Sequence, residues 1–229
     1  ALEHAHAALV AQIRVLEQHV GALRTANPPL RQPAPLPTDS IPLAPTHLAG
    51  QAGARIAILE YSDFQCPYCG AFARQTLPVL EERYVATGLV RLGFWQFPLV
   101  EIHPQAMATA GAAECAGQQD RFWDMHDALF ADQGRLGLAS LLSRARDLEL
   151  DESAFAECVQ REGPEIARQL SASARALGLS VTPTFIIGLI QDDGTLKPRQ
   201  ILTGARDVSA FAALIDPLIA ELAERHGQP

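Results

Sequence analysis

Apolar side chains at Leu2, Leu9, Ile13, Leu16, Val20 and Leu23 fall on spacings built from four and three, which marks a helical stripe of about three heptads. The pattern predicts an N-terminal amphipathic helix over residues 1–27. Such a helix can dock on its own domain, pair two copies into a homodimer as a short coiled coil, or serve as an anchor stalk. Pro28, Pro29, Pro33, Pro35, Pro37, Pro42 and Pro45 follow, a density that opposes regular structure and predicts a semi-rigid linker over 28–50. From residue 51 to 229 the periodicity predicts a folded body. Its elements are strand 55–62, helix 66–86, strand 89–97, several helices between about 104 and 178, strands 184–190 and 199–203, and helix 207–225. Pro78 should kink the first of these helices. Asp193-Gly194 suits a tight turn between the last two strands. A strand–helix–strand unit followed by a hairpin and a helix is a mixed α/β arrangement.

Composition narrows the function. The chain has 229 residues and a formal charge of −8, from 26 acidic against 18 basic side chains, with no basic stripe. A nucleic-acid partner is therefore not expected. Glu3, Arg14 and Glu17 interrupt the N-terminal apolar residues, so no run approaches the roughly 18 to 20 needed to span a membrane. The first residues lack a charged start followed by an apolar core, so no secretory signal is visible in this chain.

Chemistry concentrates at Cys66-Pro67-Tyr68-Cys69, placed after the apolar run Ile56-Ala57-Ile58-Leu59 and at the predicted start of a helix. Unpaired N–H groups and the positive end of the peptide dipoles there favour thiolate over thiol at Cys66. Cys66 is the expected attacking sulfur and Cys69, one turn deeper, the resolving one. Pro67 suits the first turn, where its missing N–H is not needed. Half a zinc site is the rival reading of a Cys-x-x-Cys pair, but Cys115 and Cys158 are singletons and no histidines near them have ligand spacing. No metal and no cofactor are expected. A serine hydrolase lacks its Gly-x-Ser-x-Gly elbow.

The run Glu60-Tyr61-Ser62-Asp63-Phe64-Gln65-Cys66-Pro67-Tyr68-Cys69, with Phe122-Trp123-Asp124-Met125-His126 and Val181-Thr182-Pro183-Thr184-Phe185, resembles the DsbA-like thiol–disulfide oxidoreductases of the thioredoxin superfamily. The resemblance covers about residues 51–225. It implies an α/β thioredoxin fold with a helical insertion at about 104–178. It also implies that Pro183 is a cis-proline facing the cysteine pair, with Thr182 offering backbone hydrogen bonds to an extended substrate and Pro67 and Tyr68 lining the same face. An ordinary trans proline is the alternative.

By the same resemblance Glu60 is the buried acid beneath the disulfide, relaying the proton of Cys69, where the residues alone also allow a surface acid on a strand. Cys115 and Cys158 would form a structural disulfide in the insertion, against the alternative of two buried free thiols. Tyr68 replaces the histidine of the most oxidising relatives. Phe122, Trp123 and Met125 read as core rather than as a client surface, and His103 and His126 as hydrogen-bonded structural residues. The implied activity is disulfide exchange with protein substrates, most specifically dithiol oxidation through a mixed disulfide on Cys66. Reductase or isomerase chemistry and a non-catalytic binding module are the alternatives. A redox-recycling partner is implied, as is a bacterial envelope location, periplasmic or extracytoplasmic.

Overall fold

The computed structural model describes residues 35–44 and 47–226. The predicted N-terminal helix over 1–27 and the first part of the predicted linker lie outside the described residues.

Among the described residues one six-stranded sheet organises the chain, in the order β1-β6-β5-β3-β4-β2. Strand β3, Ile56–Ser62, is buried along its whole length because both of its faces are covered. It runs parallel to β4, Val90–Gln96, and antiparallel to β5, Thr184–Ile190, with Glu60 opposite both Phe94 and Phe185. Strand β6, Thr195–Thr203, returns from β5 through a turn in which Gly194 has a φ of +78°, a left-handed conformation that a glycine adopts freely. It starts earlier than the pattern predicts. Pro198 hid the strand, yet it lies beside the register shift opposite Gly188, where a missing ladder bond is tolerated.

The two remaining strands correct the predicted linker. Residues 41–49 were expected to be irregular, but Ile41–Pro42 forms β1 on β6 and His47–Ala49 forms β2 on β4. Ile41 and Leu43 are buried while Pro42 points outward, the alternation of an edge strand. Proline is acceptable at such an edge because one missing donor there costs little. Strand β1 covers only Thr195 and Leu196, so β6 is unpaired on that side from Lys197 onward among the described residues.

The first predicted helix is present in three pieces, α1 (Pro67–Gln75), α2 (Leu77–Leu80) and a single π turn (Glu81–Val85). The break falls at Thr76. Pro78 has no N–H to return to Arg74, and the Thr76 hydroxyl instead donates to Arg206 O at 2.8 Å. Five helices make up the insertion: α3 (Ala106–Gly117), α4 (Phe122–Ala131), α5 (Leu138–Asp147), α6 (Glu152–Arg161) and α7 (Gly163–Ala176). Asp151 caps α6 by accepting the N–H of Ala154 at 2.9 Å. Helix α8, Val208–His226, closes the chain.

Three apolar clusters follow from this layering. Ile56, Ile58, Phe185 and Ile187 face Phe72 and Leu80 from α1 and α2, and Phe211 and Ile215 from α8. Ala57, Leu59, Tyr61 and Ile186 face Leu170 and Ala174 from α7 on the other side. A third core lies between the insertion and the redox helix. It joins Phe64, Cys66 and Cys69 to Phe94, Phe122, Met125, Leu129, Phe130 and Phe155. Phe122 and Met125 are therefore core residues.

Candidate functional site

Cys66 sits where the chain turns from β3 into α1. Its own φ and ψ of −69° and 123° are extended, which makes it the residue that caps the helix, with Pro67 in the first helical turn. The preceding turn is fixed by one carboxylate. Asp63 is 2 % exposed, and its Oδ1 accepts Gln65 N at 2.8 Å while its Oδ2 accepts Leu99 N at 2.8 Å and lies 2.8 Å from His103 Nδ1. Its carbonyl oxygen accepts Cys66 N at 3.0 Å. Gln65 Oε1 adds a bond from Gln105 N at 2.7 Å. The loop after β4 is thereby tied to the residues just before the thiols.

The Thr182–Pro183 peptide bond is cis, and Thr182 O lies 3.6 Å from Cys66 Sγ. Pro183 and Thr182 are buried beside the cysteines, whereas Tyr68 is 66 % exposed. Both cysteines are free thiols. Their environments differ. A hydrogen bond from Cys69 is the largest influence on Cys66 and pulls its thiol down to about 6, opposed by desolvation. Cys69, fully buried, is pushed well above an ordinary thiol by desolvation first, then by Cys66 and by the nearby charge of Glu60. One sulfur is therefore set to ionise and the other to keep its proton.

Glu60 is 1 % exposed on the central strand, and neither of its carboxylate oxygens has a hydrogen-bond partner. Desolvation pushes it up to about 8, with Ser62 as a weaker opposing influence. It is a buried acid within electrostatic reach of Cys69, not a surface residue. Cys115 and Cys158 are bonded to each other, joining α3 to α6 with a Cα–Cα separation of 5.8 Å.

His103 and His126 are both in polar contacts. His126 Nδ1 lies 2.8 Å from Asp127 Oδ1, while its buried ring packs among Phe64, Phe94, Trp123 and Phe130. Among the described residues no group of three His, Cys, Asp or Glu side chains is placed to hold a metal ion. Two residues of the site were not singled out from the sequence. Asp63 carries a readable signal, since an acid two residues before a bonded amide is an Asx turn. Gln133, which donates to Phe64 O and Cys66 O from the insertion, is 67 residues from Cys66 and has no local signature.

A family model described as Thioredoxin matches residues 43–203. The Na(+)/H(+) antiporter NhaA 1 of Salinispora arenicola is 37% identical over 168 residues, which is 72% of this chain but 25% of that protein. The chain thus spans about a quarter of the length of the curated relatives it matches first. The Probable disulfide bond formation protein D of Bacillus anthracis is 34% identical over 84 residues, 37% of this chain and 39% of that protein. Among solved structures, alpha-DsbA1 of Wolbachia pipientis superposes with a TM-score of 0.69 at 25% identity, covering 81% of this chain and 96% of the other. No helix among the described residues is long and apolar enough to cross a membrane.

Proposed function

This chain belongs to the thioredoxin family and has a DsbA-like fold, and on that premise we propose that it is a protein thiol–disulfide oxidoreductase working as a dithiol oxidase. The observation that carries the reading is the placement of the two thiols, with Cys66 at the start of α1 beside Thr182 and Cys69 fully buried one turn on, which draws the first toward thiolate and holds the second protonated.

In the oxidised form a substrate thiolate attacks Cys66 Sγ. The Cys66–Cys69 bond breaks, and its electron pair leaves on Cys69, which takes a proton. Glu60, a carboxylic acid with a pKa of about 8 close to Cys69, is the group suited to supply that proton through water. A second substrate thiolate then attacks the substrate sulfur of the mixed disulfide, and Cys66 leaves as thiolate. The substrate loses two electrons and the protein gains them as a dithiol. A thiolate stable near pH 6 is a good leaving group, so this direction is favoured over reductase or isomerase chemistry.

Thr182 and Pro183, with Pro67 and Tyr68, are the proposed contacts for an extended client, bound by strand addition. Exposed Tyr68 and Ile102, the latter on the loop tied to Asp63, suit apolar client segments. The remaining parts of the proposal are a recycling partner that reoxidises the dithiol and an extracytoplasmic, envelope location, where the Cys115–Cys158 bridge would also persist. The relatives named antiporters favour one addition. They share this chain over about a quarter of their length, so the same redox domain can be part of a longer membrane-associated polypeptide.

The test is the reduction potential of the Cys66–Cys69 pair against glutathione. A value near the roughly −120 mV of a strong dithiol oxidase supports the oxidase, one near the roughly −180 mV of protein disulfide isomerase supports the isomerase, and one between about −200 and −270 mV or lower supports the reductase. Cys69→Ser should accumulate mixed disulfides with reduced client protein, and Cys66→Ser should abolish exchange. Full activity in Cys66→Ser would end the proposal.

A further inference from the structure

Gln133 stands on the loop between α4 and α5, apart from the sheet and from the helix that carries the thiols. Its side-chain amide nonetheless reaches the backbone of the redox turn. Nε2 donates to Phe64 O at 2.9 Å and to Cys66 O at 2.8 Å, while Oε1 accepts from Arg74 Nη1 at 3.2 Å. The same Arg74 nitrogen donates to Phe130 O at 2.6 Å, near the end of α4. A reversed amide would set its oxygen against two carbonyl oxygens, so these partners fix its orientation. Cys66 O also accepts Gly70 N at 3.1 Å, the first bond of α1. The carbonyl of the capping cysteine is thus held from two sides, once by its own helix and once by the insertion.

Gly70 makes this contact sterically open. A Cβ at that position would run into the Gln133 amide and the Arg74 guanidinium, so the face of α1 toward the insertion admits the clamp only without a side chain.

We infer that Gln133 is a positioning residue for the Cys66 thiolate. It touches neither the sulfur nor a substrate. By holding the Phe64 and Cys66 carbonyls, it fixes the peptide plane that precedes Gln65 and the one that follows Cys66, and so the turn from which the sulfur projects. The sulfur then stays at the start of α1, where the helix end favours its ionised form. The field at a helix end falls off within one turn, so a small rotation that moves the sulfur away from it lowers the thiolate population. The inference rests on the reading of Cys66 as the attacking thiol.

The experiment uses the reduced full chain and follows Cys66 ionisation by thiolate absorbance and by the pH dependence of alkylation. Gln133→Met keeps length and bulk but removes both donors. Gln133→Glu keeps length and sets carboxylate oxygens against the two carbonyls. Both should raise the Cys66 pKa, by roughly half a unit to one unit for Met and more for Glu, leaving about threefold to tenfold less thiolate below the transition. Gly70→Ala, which expels the amide by a different route, should move the titration in the same direction. Parent-like titration in a folded Gln133→Met protein, even with a lowered melting temperature, would make the residue purely structural and overturn the inference. An ordinary cysteine pKa in the parent itself would instead overturn the thiolate reading beneath it. Should Gln133→Glu not fold, Gln133→Met and Gly70→Ala decide the matter together.

Discussion

Glu60 costs the native state stability at neutral pH. In the folded protein it holds its proton up to about pH 8, whereas an unfolded glutamate loses it near 4.5. Between those values the native state binds more protons than the unfolded chain, so stability falls as pH rises. The penalty from this one residue reaches about 3 kcal/mol at pH 7. Glu60→Gln should therefore be more stable than the parent in urea at pH 7 to 8, by about 1–3 kcal/mol, and should show little gain at pH 4.5. An offset independent of pH would show that the carboxyl is not the cause. The same variant should slow release of Cys69, because it removes the acid proposed to protonate the leaving sulfur. Alternation along the strand placed Glu60 opposite Leu59 in the sequence. What alternation did not reveal is that both faces of β3 are covered, so that either face is interior.

At the scale of elements, the Cys115–Cys158 bridge spans 43 residues and joins two helices of the insertion. Cross-linking residues so far apart should stabilise the fold by roughly 4 kcal/mol through the unfolded state. Replacing both cysteines by alanine should lower unfolding free energy by about that amount while leaving the Cys66 titration in place. A shift in that titration would mean that the bridge also shapes the redox turn.

The long, strongly periodic elements were legible in the sequence, and β5 falls on the predicted residues 184–190. Strands β1 and β2 were not, since two or three residues carry no period and the prolines around them dominate the reading. The break at Thr76 was anticipated only as a kink at Pro78. The tertiary bond from Thr76 to Arg206 lies 130 residues away and selects where the helix parts.

For the molecule as a whole, the apolar core between insertion and sheet contains a weak point toward acid. His126 is 1 % exposed, its Nε2 has no partner, and desolvation lowers its pKa below the ordinary histidine value despite Asp127. An unfolded histidine takes up its proton near pH 6.5. Below that pH the unfolded chain binds a proton that the native core resists, so stability falls as pH drops. His126→Phe should flatten the acid limb of the stability profile between about pH 6.5 and 5, measured by urea unfolding at each pH. An unchanged slope would place the acid sensitivity elsewhere. The cysteine motif and its helix start could be read locally, as could the insertion from its helical run. The clamps that join the loop after β4 and the insertion to the redox turn could not, because Asp63 to His103 and Gln133 to Cys66 are contacts between distant segments.

The length of β6 that no described strand pairs on that side bears on how the protein behaves when crowded with copies of itself. A bare strand edge is a template on which another chain can extend the sheet, and such growth is a common route to insoluble aggregates. Here the first residues past β1 are Lys197, Pro198 and Arg199, and Lys197 is the sole lysine of the chain. Arg199 is held by the Glu221 carboxylate, but the exposed charge of Lys197 and a proline that lacks a donor are poor company for a second copy of the same edge. The chain's one lysine thus stands where it discourages self-association.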